Sequence, residues 1–109
     1  MSSDTPVIDP DIYWGTLNRM KITFDPAKRD ATLQARGLDF ADARTVFSSR
    51  HTTRRDNRRE YGEDRFITVG LKGNRLVVVV WTSRGEERRV ISMRDANAKE
   101  KPFFDRYVR

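Results

Sequence analysis

Leu76-Val77-Val78-Val79-Val80-Trp81 is an unbroken apolar run, and its neighbours decide how it must be read. Before it stands Glu63-Asp64-Arg65-Phe66-Ile67-Thr68-Val69-Gly70, and after it Arg88-Arg89-Val90-Ile91-Ser92-Met93-Arg94. Lys72-Gly73-Asn74 and Ser83-Arg84-Gly85 separate the three segments and supply turn residues. A short valine-rich run between turn signals reads as a strand buried on both faces. The three segments therefore predict a meander with the apolar strand at its centre. Such a meander sets Arg65 and Arg89 on the two strands beside it, near strand ends. Guanidinium groups held on rigid strands are suited to gripping a phosphate. By the two-residue period, Arg65 shares a face with Glu63, Ile67 and Val69, and Arg89 shares one with Ile91 and Met93.

Upstream, Lys21 to Phe24 reads as a short first strand. Asp25-Pro26 then opens a helix, because aspartate accepts free backbone N–H groups at an N-cap and proline fits the first helical position. Gly37 ends it, as glycine does where the chain turns left-handed. Ala27, Ala31 and Ala35 recur at helical spacing and predict a flat face for close packing on the sheet. Asp39 caps a second, shorter helix with an apolar stripe of Phe40, Ala43, Val46 and Phe47. Residues 48–61 are polar and dense in arginine (Arg50, Arg54, Arg55, Arg58, Arg59), and read as either an irregular strand and turn or a mobile loop. Downstream, Asp95 caps a final helix from Ala96 to about Lys101, which Pro102 interrupts. Phe103, Phe104, Tyr107 and Val108 make an apolar stripe that needs a groove, in this domain's own core or in a partner. The expected fold class is α+β: two N-terminal helices packed on one face of a small, largely antiparallel sheet, with a C-terminal helix.

At 109 residues the chain has room for one small domain. Residues 1–19 read as an N-terminal extension, in which Ile12-Tyr13-Trp14 either folds back or stands apart, and 20–109 as the domain itself. There is no cysteine and one histidine, His51, so neither a disulfide framework nor a cysteine- or histidine-based metal site is expected. No stretch approaches the ~20 apolar residues of a membrane span, and no secretory leader is visible. The expected compartment is the cytoplasm. The net charge is +6, and residues 1–19 are themselves net acidic, so the positive charge concentrates in the domain. A basic compact domain points to nucleic acid or an acidic protein partner.

From Met20 onward the order of motifs resembles the BrnT family of toxins from bacterial type II toxin–antitoxin systems. Ile22-Thr23-Phe24-Asp25-Pro26-Ala27-Lys28 is similar to the family's opening strand and capped helix, and Arg36-Gly37-Leu38-Asp39-Phe40-Ala41-Asp42-Ala43 to its helix junction. Glu63 to Gly70 resembles its most recognisable stretch, and Arg89 to Arg94 closes the match. The resemblance implies a RelE-like fold and metal-independent RNA cleavage that inhibits translation. It also implies a BrnA-like antitoxin with a ribbon-helix-helix domain, through which alone the complex meets operator DNA. The family often has Lys-His-Gly where this chain has Ala35-Arg36-Gly37. Arginine can hold a phosphate there but stays protonated and cannot act as a base.

Cutting RNA without a metal requires three events. The 2′-OH loses a proton, the pentavalent phosphate is stabilised, and the leaving 5′-oxygen gains a proton. Stabilisation of the charged phosphate is usually the largest contribution, and Arg65 and Arg89 are the candidates for it. Read without the resemblance, the same pair bridges to Glu63, Glu86 or Glu87 at the sheet rim. Glu63 either orients Arg65 or serves as a base, and His51 either takes a proton or is a solvated loop residue. Lys28 and Arg36, on roughly one face of the first helix, and Arg94 are expected to contact RNA backbone, or else to be solvated. Arg54, Arg55 and Arg58 form the strongest electrostatic signal, able to track an RNA backbone or dock an acidic antitoxin segment. Trp81 and Tyr61 are the candidates to stack on a base, and Trp81, at the end of the apolar strand, equally reads as a core residue.

Overall fold

The computed structural model describes residues 21–58 and 60–108. The described residues form β1 (Lys21–Phe24), α1 (Pro26–Arg36), a 3-10 turn (Phe40–Asp42), α2 (Ala43–Ser48), β2 (His51–Arg55), β3 (Arg65–Lys72), β4 (Arg75–Arg84), β5 (Glu87–Asp95) and α3 (Glu100–Val108). The five strands make one sheet in the order β1-β5-β4-β3-β2. The expected meander is β3-β4-β5, antiparallel throughout, and β2 adds to it antiparallel. β1 pairs with β5 in parallel, so the sheet is mixed. Within the arginine-dense segment after α2, His51–Arg55 forms the edge strand β2, and the described residues that follow it form a loop leading to β3. The expected N-terminal extension, its Ile12-Tyr13-Trp14 cluster and Arg59 lie outside the described residues.

β4 is the central strand, and its side chains divide between two apolar layers. Val77, Val79 and Trp81 join Leu38, Phe40, Ala43, Val46, Phe47, Val90 and Met93 beneath the 3-10 turn and α2. Val78 and Val80 join Ile67, Val69 and Phe104 on the opposite face. This is why the valine run has no polar interruption: from Val77 to Trp81 neither face of β4 meets water. The Asp39 cap and the stripe Phe40, Ala43, Val46 and Phe47 form as read, with Asp39 Oδ1 accepting from the Ala41 N–H at 2.9 Å and all four stripe residues buried.

Close approach of α2 depends on Gly70. A Cβ there would lie 2.7 Å from His51 Cβ, 2.9 Å from Val46 Cγ1 and 3.1 Å from the Arg50 carbonyl oxygen. Inside this layer, the Trp81 indole N–H donates to Thr68 Oγ1 at 2.8 Å, and Thr53 shares that hydroxyl at 2.7 Å.

Four expectations need correction. The alanine face of α1 does not pack on the sheet: Ala27, Ala31 and Ala35 are exposed, and no residue of α1 is buried. Arginines fasten this helix instead. Arg29 makes a two-pronged pair with Asp39 at 2.8 and 2.7 Å, and Arg36 Nη1 donates to the Met93 carbonyl at 2.7 Å. Arg29 also draws the Asp39 carboxyl down to about 2.

The final helix starts later than Asp95, which belongs to β5 and pairs with Arg75 at 3.0 Å. Asn97 caps it instead, its Oδ1 accepting from Lys99 and Glu100 N–H groups, while Glu100 Oε1 accepts from the Asn97 N–H. Pro102 then falls in the first turn, where a missing N–H breaks no helical bond. α3 lies on the face opposite α2, against β2 and β3. Phe104 of the expected stripe is buried there, while the side chains of Tyr107 and Val108 lie outside the described residues. Lastly, Arg89 and Met93 do not share a face. An irregularity where Val80 pairs with Ser92 but Trp81 pairs with Val90 inserts one residue into β5 and reverses the alternation.

Candidate functional site

Strand register decides which arginines meet. Arg65 on β3 stands opposite Thr82 on β4, Thr82 opposite Arg89 on β5, and Arg89 beside Thr23 on β1. Residues directly opposite in a sheet share a face, so these four side chains form one row across four strands. The next row is Phe66-Trp81-Val90, which faces α2. The arginine row therefore belongs to the face that carries α3. Neighbouring strands are about 4.8 Å apart, so the Arg65 and Arg89 backbones are about 10 Å apart. Two extended arginine side chains can converge on one anion across that gap.

Arg65 is held on two sides. Its Nε donates to Glu63 Oε2 in a long contact of 3.4 Å, and its guanidinium lies 4.1 Å from the centre of the Tyr61 ring. The other Glu63 oxygen lies 3.6 Å from Arg84 Nη2, so both carboxylate oxygens face guanidinium groups. Glu63 is thus placed to orient arginines. Arg89 is half-buried and has no ion-pair or hydrogen-bond partner among the described residues. Thr82 beside it is buried and donates to the Asp64 carbonyl at 2.6 Å. The Thr23 hydroxyl oxygen, on Arg89's other side, is buried and has no partner among the described residues.

The loop between β2 and β3 is organised by Asp56, whose side chain is fully buried. Its carboxylate accepts from Arg58 Nε and Nη2, both at 2.7 Å, from the Arg58 backbone N–H at 3.2 Å and from the Tyr61 hydroxyl at 3.1 Å. The hydrogen-bonded Arg58 guanidinium holds this carboxyl well below the usual carboxylate range, against the opposing effect of burial. Asp56 carried no sequence signal: one aspartate in a polar stretch looks the same whether buried or solvated. Thr82 was legible in principle, as the residue whose side chain alternates with Trp81.

The other expected site residues scatter. His51 stands opposite Gly70, five residues along β3 from Arg65 and on the other face. That separation, about 17 Å along the strand, removes His51 from any chemistry at the arginine row. Its Nδ1 faces the Ser49 carbonyl at 2.7 Å, and its ring meets Phe47 edge-on. Trp81 is a core residue, covered by Phe47, Phe66 and Arg88, and has no free ring face to offer a base. Arg36 is occupied by the Met93 carbonyl, and Arg94 makes a two-pronged pair with Glu100 at 2.7 and 2.6 Å that ties α3 to β5. That pair lowers the Glu100 carboxyl. Arg55 pairs with Asp64 and Arg58 with Asp56, Arg54 lies over the Phe103 ring at 5.5 Å, and Lys28 is exposed on α1. Arg88, passed over in the sequence, lies 4.6 Å from both the Phe47 and Trp81 ring centres on the α2 side. Among the described residues, no three His, Cys, Asp or Glu side chains gather as a metal ion would require.

The model of a protein family, the ribonuclease toxin BrnT of type II toxin–antitoxin systems, matches residues 24–100. The chain belongs to the BrnT family. The matched span runs from the end of β1 to the start of α3, and so contains Glu63, Arg65, Thr82 and Arg89. No curated protein sequence matches the chain. Membership implies a type II toxin ribonuclease, with RNA as substrate and an antitoxin as partner. In this BrnT member, no helix among the described residues is long and apolar enough to cross a membrane.

Proposed function

We propose that this BrnT toxin is a metal-independent endoribonuclease whose reaction centre is the Arg65-Thr82-Arg89 row. The observation that supports it most is the register that sets two arginines two strands apart on one face, one braced by its neighbours and the other without a partner among the described residues. In this reading Arg65 and Arg89 share the non-bridging oxygens of the scissile phosphate. They stabilise the extra negative charge as the 2′-oxygen attacks and the 5′-oxygen leaves. Glu63 orients Arg65. Arginine supplies charge and direction but exchanges no proton at neutral pH, so proton transfer falls to solvent or to the RNA itself. Arg54 and Lys28, both exposed, track the flanking backbone.

The proposed fold relationship is to the RelE-like toxins, and the proposed setting is the cytoplasm, where cleavage inhibits translation. Neutralisation is assigned to a BrnA-like antitoxin of ribbon-helix-helix type, which alone contacts operator DNA. The distance of His51 from the row favours one alternative, a basic module that binds RNA or DNA without cutting and acts by occupancy. A single experiment separates the two. Purified protein is incubated with RNA in EDTA beside an Arg65→Ala variant. The nuclease reading expects cleavage by wild type and its loss in the variant. Intact RNA with both proteins, each still binding it, contradicts the nuclease reading.

A further inference from the structure

We propose that Asp56 is a positioning residue for RNA cleavage, acting on Arg65 through Tyr61. The inference rests on the arginine row being the reaction centre, and adds to it a residue that touches neither RNA nor Arg65's guanidinium.

The loop from Asp56 to Asp64 closes on itself around one carboxylate. Asp56 starts beside the row, since its backbone N–H donates to the Arg65 carbonyl at 2.8 Å. Its side chain receives four hydrogen bonds from described residues, and these donors all lie within the next five positions. Burying a carboxylate is costly, and its ion-pair partner Arg58 is 62% exposed, which weakens the return. Neither apolar layer includes the loop. What the arrangement achieves is placement. The Tyr61 hydroxyl is pinned to Asp56, so the phenol ring is fixed from its far end. Arg65's guanidinium lies 4.1 Å from that ring's centre. Two residues further on, Glu63 takes Arg65 Nε, and Thr82 holds the Asp64 carbonyl to β4. The guanidinium is thereby clamped by ring and carboxylate, while its Nη1 and Nη2 have no hydrogen-bond partner among the described residues. Those two groups are the ones a phosphate needs.

The test uses the full chain, a short RNA in EDTA, and single-turnover rates for Asp56→Asn and Tyr61→Phe, each alone and combined with Arg65→Ala. The Arg65 Nε–H signal is followed alongside by NMR. A misplaced guanidinium is expected to slow cleavage about tenfold to a hundredfold in either single variant. Neither is expected to slow the Arg65→Ala protein further, because there the brace has nothing left to position. The Nε–H proton should exchange faster with water in both variants. Wild-type rates in both, or equal slowing with and without Arg65, overturn the inference. If Asp56→Asn does not fold, Tyr61→Phe decides alone, since it keeps the ring and removes one hydroxyl. If wild type cuts no RNA, the reading of the row fails by itself. The Nε–H exchange still judges the brace, and equal exchange in wild type and Tyr61→Phe rejects it.

Discussion

Replacing Gly70 by alanine tests the packing that divides the two faces of the sheet. The new methyl carbon would lie 2.7 Å from His51 Cβ, 2.9 Å from Val46 Cγ1 and 3.1 Å from the Arg50 carbonyl oxygen. None of these can swing aside. One is bonded directly to its backbone, one belongs to a β-branched side chain stiff at its first torsion, and one is main chain. Relief requires β2 or α2 to move off β3. Overpacking of this kind costs about 1–3 kcal/mol. Alanine returns about 0.4–1 kcal/mol by restricting the unfolded chain, leaving a net loss between about 0 and 2.6 kcal/mol, with a middle value of about 1.3 kcal/mol. For a domain near this size a loss of 1 kcal/mol lowers Tm by about 4–8 °C, so a fall of about 5–10 °C is expected at the middle value. Thermal melting followed by circular dichroism reads it directly. RNA cleavage well below the transition should stay at the wild-type rate, because Gly70 faces away from the arginine row. A Gly70→Ala protein that melts at or above the wild-type temperature would refute this placement of α2 on β2 and β3.

Phe104→Ala removes a buried aromatic that α3 lends to its layer, and should destabilise by about 3 kcal/mol or more, read by urea unfolding together with increased dye binding to the uncovered sheet. Acid unfolding should involve Asp56. Its folded carboxyl sits below its ordinary value, so as pH falls past about 3.9 the unfolded chain takes the proton first and stability drops. The stability gap between wild type and Asp56→Asn should therefore narrow below that pH, and a constant gap would remove Asp56 from the acid transition. His51→Gln should leave the cleavage rate unchanged in a single-turnover assay, and a large loss would place the proton-transferring group on the wrong face here.

Much of the fold was legible because the strongest signals are local. The valine run between glycine-bearing turns marked the meander, and the Asp25-Pro26 and Gly37 caps marked α1 at both ends. What stayed hidden depends on distant partners. The alanines of α1 show the spacing of a packing face, but arginine pairs to Asp39 and to the Met93 carbonyl hold the helix, and ion pairs across sequence leave no periodic trace. Pro102 looked like a helix breaker because its effect depends on where the helix starts, which Asn97 sets. The extra residue in β5 moved Met93 to the other face and would have misled any count by twos. For the site, Arg65 and Arg89 were readable as strand arginines, and their alignment through Thr82 is a matter of register. Arg94, Arg58 and Arg55 looked equally available in sequence, yet each is paired to a carboxylate. A charge count cannot separate arginines that build the fold from those left for a ligand.

In the proposed reaction Arg65 and Arg89 grip one phosphate, and a double-mutant cycle on RNA cleavage shows whether they do. Single-turnover rates are measured in EDTA for wild type, Arg65→Ala, Arg89→Ala and the double variant, with product ends identified. Each single change should slow cleavage about 10²–10³-fold, and the double variant should be little slower than either, because the two groups serve one charge. Products should carry 2′,3′-cyclic phosphate ends. Single variants that cut at the wild-type rate, or a double variant whose loss is the full product of the two, would show that the two arginines do not share one phosphate.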